Sequence, residues 1–185
     1  MTTTKSRLDH IRATIQEPDF QSGRGLSNEV NIHIYGYDPA DERIVRHFVA
    51  QLESDKKLRC RLRSIHLYDV FLAILEKKHL MNAIPKMEDT KGSKYLLEKL
   101  QKVATVKAFL AEMAYEPHEP GDVLLISGVG SVYPFLRMHT LLEAVQTAFS
   151  DIPVVLLYPG TYDGHEMRLF GRLAPSPYYR AFNVN

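Results

Sequence analysis

Apolar positions along the chain keep two spacings, one of about 3.6 residues and one of two, and their order predicts the fold. Leu8, Ile11 and Ile15 share one helical face, so residues 5–16 read as a short amphipathic helix that Pro18 closes. A turn-rich loop follows, Gly23-Arg24-Gly25-Leu26-Ser27-Asn28. Residues 29–35 alternate as a strand does and stop at Gly36-Tyr37-Asp38-Pro39. Asp38 is a good N-cap and Pro39 suits a first helical position. Ile44, Val45, Phe48, Val49 and Leu52 then give the buried stripe of a helix reaching about Ser54. A second strand is expected over 58–66, followed by a helix marked by Val70, Phe71, Ile74 and Leu75.

From His79 to Tyr115 the helical spacing runs on with no strand between: Tyr95, Leu96, Leu97 and Leu100, then Val106, Phe109, Leu110 and Met113. This segment reads as a helical lobe of two or three helices over 79–115, broken near Pro85 and Lys91-Gly92 and inserted in a single α/β domain spanning 1–185. Beyond it, 122–127 and 152–157 are largely unbroken apolar runs, as strands covered on both faces are. A turn over 128–133 and a helix lined by Phe135, Met138, Leu141, Leu142, Val145 and Phe149 separate them. Residues 158–164 are expected as a loop and 178–184 as an edge strand. Strand–helix alternation of this kind predicts the α/β class, with a mostly parallel, doubly wound sheet and flanking helices.

Composition adds exclusions. Hydrophobic residues make up 45% and charged residues 24% of 185, the balance of an ordinary globular core, and the formal net charge of +1 gives no general pull toward nucleic acid or acidic membranes. The single cysteine, Cys60, cannot form an internal disulfide or a two-cysteine metal site, and it alternates with Arg59, Arg61 and Arg63 as a small strand residue would. The start of the chain lacks a signal-peptide core and no apolar run is long enough to cross a bilayer, so a cytoplasmic protein is expected, without membrane contact. Arg43 to Arg63 nets +5, and Glu76 to Lys107 nets +4, but neither stretch interleaves aromatics to stack on bases. Only weak contact with DNA, or contact through a larger complex, is expected from them.

Two segments could carry chemistry. Ser127-Gly128-Val-Gly130-Ser131-Val-Tyr133-Pro134 links a buried strand to a helix, a place where backbone N–H groups can hold an anion. No Walker lysine follows, and Tyr133 stands where a dinucleotide fingerprint needs its third glycine. A structural turn is therefore preferred, with phosphate or nucleotide binding at Gly128–Ser131 as the alternative. The second segment is Tyr158-Pro159-Gly160-Thr-Tyr162-Asp163-Gly164. In a parallel sheet both should meet Gly36–Asp38 at the carboxyl edge, which would carry Tyr37, Tyr133, Tyr158, Tyr162, Asp38, Asp163 and Arg137. Exposed tyrosines with arginine suit a protein-binding surface. Plain turn chemistry with the tyrosines half-buried is the equal alternative. Ser131 has no nucleophile elbow around it, and His165-Glu166 lacks the second histidine of a zinc helix. No catalytic residue, cofactor or metal is expected.

The residues of both segments, together with Arg168-Leu-Phe-Gly-Arg172, Tyr178-Tyr179-Arg180-Ala-Phe182, and near the start Leu26-Ser-Asn-Glu29 and Tyr37-Asp38-Pro39, resemble the BrxB family of BREX phage-defence systems. The resemblance implies a core component of a BREX locus with no enzymatic activity of its own, an adaptor or scaffold. The implied partners are other BREX proteins, first a PglZ-like protein of phosphatase fold, then the BrxC ATPase or the PglX methyltransferase. It also brings Arg168, Arg172, Tyr179 and Arg180 into the expected binding surface.

Overall fold

A computed structural model of the chain describes residues 3–23, 30–178 and 180–184. The helices are α1 (Thr4–Thr14), α2 (Pro18–Gln21), α3 (Glu42–Ser54), α4 (Leu67–Lys77), α5 (Ile84–Val103), α6 (Val106–Met113), α7 (Val129–Val132) and α8 (Met138–Ala148). The strands are β1 (Ile32–Tyr37), β2 (Arg61–His66), β3 (Asp122–Ser127), β4 (Val154–Tyr162), β5 (Glu166–Leu169), β6 (Ser176–Pro177) and β7 (Phe182–Asn183). They form a mostly parallel α/β sheet in the order β2-β3-β4-β1-β7, with β5 and β6 added antiparallel on the far end of β4.

Strand alternation divides the core into two layers. Tyr35, Tyr37, Val123, Leu125, Val155 and Leu157 face α1 and α3, meeting Leu8, Ile11, Val45, Phe48 and Leu52. Their neighbours Ile34, Leu124, Ile126, Val154 and Leu156 face the larger layer of α4 to α8. The β1-to-β2 connection crosses one face and the β2-to-β3 connection returns over the other, the arrangement that right-handed crossovers require when the chain reverses direction.

The segment expected as a helical lobe contains α5 and α6, and its Leu96, Leu100, Phe109 and Met113 belong to the same buried cluster as the sheet residues. Its break falls at Gly92, which takes φ 80°. Asp38 accepts from the Ala40 amide at 2.9 Å, but what it caps is a single 3-10 turn, Pro39–Asp41, leading into α3 at Glu42, rather than α3 itself.

Several boundaries differ from the expectation. Pro18 opens the short α2 rather than only closing α1, its fixed φ fitting a first turn. The second strand starts at Arg61 instead of 58, and the 128–133 turn contains one helical turn, α7. The expected loop at 158–164 is strand through Tyr162, because β5 pairs with it. Leu26–Glu29 and Tyr179 lie outside the described residues. The terminal strand is shorter than expected, but it does lie at the edge, parallel to β1.

That edge is held by a histidine. The His33 ring lies 4.5 Å from the Phe20 ring and 5.2 Å from that of Phe182, with Nε2 2.8 Å from Asn31 Oδ1. Burial between the rings lowers its pKa from 6.5 to about 4. The folded state therefore holds fewer protons than the unfolded state below pH 6.5. This contribution is complete above 6.5 and is lost as pH falls toward 4, by about 2 kcal/mol at pH 5. Denaturant unfolding at pH 7.5 and pH 5 should show that loss in the native protein and a much smaller one in His33→Gln. Equal losses in both would assign the acid sensitivity to other groups.

Candidate functional site

The carboxyl ends of β1, β2, β3 and β4 meet at one edge, and the Gly128–Ser131 turn divides that edge into two clefts. The first, about 290 Å³, lies under α3 and is lined by Tyr37, Glu42, Arg46, His66, Ser127 and Gly128. Its polar groups are largely engaged with one another. The Tyr37 hydroxyl donates to Glu42 Oε2 at 2.5 Å, Arg46 Nε pairs with Glu42 Oε1 at 2.9 Å, and His66 Nδ1 stands 3.7 Å from Asp69 Oδ2. Burial, reinforced by the Glu42 carboxylate, pushes the Tyr37 hydroxyl far above its usual pKa, so it serves as a donor.

The two turn glycines are explained by side chains of the chain itself. Gly128 takes φ 76°, and a Cβ there would lie 2.6 Å from Nε2 of His66. A Cβ on Gly130 would lie 2.8 Å from Cε1 of Phe170. The open glycine faces that a pyrophosphate would approach are thus covered by an imidazole and a phenyl ring. The α7 helix, which Gly128 opens and which contains Gly130, is four residues long.

The second cleft, about 190 Å³, opens on the other side of the turn, between α8 and the β5–β6 hairpin. Its floor is Tyr158, Met167 and Leu169, and Tyr133, Arg137 and His139 stand around it. Tyr133 is 43% exposed and sits edge-on to Phe170, ring centroids 6.4 Å apart. The Tyr133–Pro134 peptide is cis, and the Pro134 carbonyl accepts from Gln101 Nε2 of α5 at 3.0 Å. Arg137 is exposed and forms no ion pair among the described residues. Among those residues no group of His, Cys, Asp and Glu could hold a metal ion. Nor is any helix there long and apolar enough to cross a membrane.

Residues 63–184 match the BrxB family, described as BREX protein BrxB. A BREX protein BrxB of Bacillus cereus is 35% identical over 191 residues, covering 100% of this chain and 98% of that protein. The chain belongs to the BrxB family. A second BREX protein BrxB, from Escherichia coli, is 27% identical over 188 residues, 96% of this chain and 90% of that one. No solved structure matches the chain. BrxB proteins are components of BREX systems, which places this chain in phage defence. The family match runs from within β2 through β7 and so includes the turn, the second cleft and the hairpin.

Within this BrxB chain the expected surface is only partly assembled. Tyr133, Arg137 and Tyr158 meet at the second cleft; Ser127 and Gly128 line the first; Gly130 and Pro159 pack around Phe170. The expectation of an exposed tyrosine edge is corrected at Tyr37, Tyr158 and Tyr162, each at most 3% exposed. They are large rings at the ends of core strands, and burial raises the pKa of all three. Tyr162 instead anchors the C-terminus, its hydroxyl donating to the Ala181 carbonyl at 2.9 Å.

Asp163 and Gly164 form the β4–β5 turn. Asp163 Oδ1 accepts from the amides of Glu166 (2.8 Å) and His165 (2.9 Å), which hold its carboxyl below the usual range. Ser131 is half-buried, its amide bonded to the Gly128 carbonyl. Arg168 points away from the cleft because its strand neighbours Met167 and Leu169 point into it. Arg172 is exposed in the loop that joins β5 to β6, and Arg180 is exposed beyond the hairpin.

His66 reads from the sequence as a structural histidine in a strand, whereas Phe170 has no signal of its own. Phe170 lies inside the Arg168–Arg172 motif that carries the family likeness, but no local pattern says which glycine its ring will cover.

Proposed function

We propose that this BrxB-family protein is a non-catalytic adaptor of a BREX assembly in the cytoplasm, and that the cleft beside Tyr133 holds its PglZ-like partner. The observation that carries this is the exposed Tyr133 ring fixed against Phe170, with unpaired Arg137 at the same rim and an apolar floor. A rigid aromatic anchor and an arginine around an apolar depression are the residue types that concentrate binding energy at interfaces. The tyrosine hydroxyls buried nearby are held protonated and carry no base. The BrxC ATPase and the PglX methyltransferase reach the same assembly through the PglZ-like protein or through neighbouring surface. DNA meets this chain weakly or through the complex.

The test is co-expression with the other products of the locus, followed by affinity measurement on the purified pair. Tyr133→Ala and Arg137→Glu are each expected to weaken capture of the PglZ-like protein by roughly 30-fold, the effect of a 2 kcal/mol anchor. Both side chains are exposed, so the melting temperature should hardly move. Capture unchanged by both substitutions, or no capture of any BREX protein, would remove this reading.

A further inference from the structure

The sheet ends on an open strand. β2 pairs with β3 on one side, and among the described residues no strand lies on the other. The Arg61 amide donates to the Gly121 carbonyl at 2.7 Å, so Arg61, Arg63 and Ile65 turn their backbone groups toward β3. Alternation then aims the N–H and C=O of Leu62 and Ser64 outward. Parallel strands are ordinarily covered, and unpaired edges are a template for another chain.

This edge is also recessed. The ends of α3 and α6, packed on opposite faces of the sheet, flank it and leave a groove of about 720 Å³. One wall is apolar through Leu52, Leu58 and Leu62, and the other through Met113 and Tyr115. The charges select the occupant. Asp55 is already paired with Arg12, Glu112 with Lys77, and Arg61 with Glu119 and Asp122. Of the lining residues, Lys56 and Arg63 are exposed cations with no carboxylate partner among the described residues, against one exposed and unpaired carboxylate, Glu53, and the Arg63 guanidinium rests 4.7 Å above the Tyr115 ring. A second copy of this chain, paired antiparallel through β2, would set these arginine rows against each other, which is unfavourable.

We propose that the free edge of β2 is a strand-addition site for an extended, acidic segment of a partner protein. Leu62 and Ser64 supply the main-chain hydrogen bonds, the two walls take apolar side chains, and Arg63 and Lys56 meet carboxylates. This surface is separate from the cleft at Tyr133 and does not depend on it.

The probe is an end-capped octapeptide of alternating Glu and Val, with the Lys/Val peptide as control, titrated into the full chain. The Glu/Val peptide is expected to slow exchange of the Leu62 and Ser64 amides at least tenfold and to bind more weakly as salt rises. The Lys/Val peptide should do neither. Ser64→Pro, which deletes an outward donor, and Arg63→Glu are each expected to weaken binding about tenfold or more, while Tyr133→Ala leaves it intact. Arg63→Glu lies on the surface and keeps the test valid if Ser64→Pro misfolds. Unprotected Leu62 and Ser64 amides, equal binding of the two peptides, or self-association of the chain that Arg63→Glu abolishes would overturn the proposal.

Discussion

Replacing Gly160 with alanine is expected to release the β5–β6 hairpin and abolish partner capture, even though the change adds one methyl group. Gly160 lies in β4 opposite Leu169 of β5. A Cβ there would stand 2.2 Å from the Arg168 carbonyl oxygen and 3.0 Å from the Phe170 nitrogen. Both are backbone atoms, so no side-chain rotation can relieve the collision. The strands must part, and the hydrogen bond from the Phe170 amide to the Pro159 carbonyl (2.8 Å) is lost with them. Phe170 then leaves Gly130 and Tyr133, and Met167, 2% exposed, is uncovered. The lost burial and hydrogen bonding together amount to about 3 kcal/mol or more. Thermal melting should fall by roughly 6–12 °C, and hairpin amides should exchange faster. Gly164→Ala is the control in the same hairpin: its Cβ would meet nothing within 4 Å, leaving only the strain of φ +95°. Its cost should be about 1 kcal/mol. Equal behaviour of the two variants would show that the hairpin tolerates a displaced β5.

Truncating Phe109 to alanine should cost still more. Phe109 is fully buried on α6 and stacks on Phe71 of α4, ring centroids 6.4 Å apart and planes within 7°. Phe71 in turn stacks on Phe135 at 4.7 Å, immediately before α8. The column therefore ties α6 to the layer that covers β3 and β4. A buried phenylalanine leaves a cavity that close-packed neighbours refill only in part, at about 3–5 kcal/mol. For a chain of this length that is roughly 6–20 °C in melting temperature. The expected result is one transition, shifted as a whole, because Phe109 shares its cluster with Ile126 and Leu156 of the sheet. Two transitions, with only helical signal lost in the first, would instead make residues 79–115 an independent unit.

These two positions show what sequence patterning can and cannot reach. Phe109 was legible: it sits at helical spacing with Val106, Leu110 and Met113, and the period alone marks it for a buried face. Gly160 was misread. Proline followed by glycine after an apolar run is turn chemistry by every local rule, yet the glycine is there because another strand passes close. The tyrosines failed for a related reason. Composition places Tyr37, Tyr158 and Tyr162 at strand ends near an edge, but whether a strand end is covered depends on the helix or hairpin that arrives from elsewhere. Arg168 belongs to the family motif, but strand parity turns it out of the cleft, and that parity follows from β5, which no local pattern marks as a strand.

By itself the sequence determined the alternation of strands and helices, the fully buried β3 and the buried first part of β4, the capped turn at Asp38–Pro39 ahead of α3, the break at Gly92 and the family. Each is written in neighbours a few residues apart, where backbone sterics and the period of burial act directly. The tertiary structure alone decided the order β2-β3-β4-β1-β7, the open edge of β2, the seating of Phe170 and His66 over the two glycines, and the survival of Tyr133 as the exposed aromatic beside Arg137. Those outcomes depend on which distant surfaces meet, and burial energy is indifferent to sequence separation: it rewards area removed from water, whichever segment supplies it.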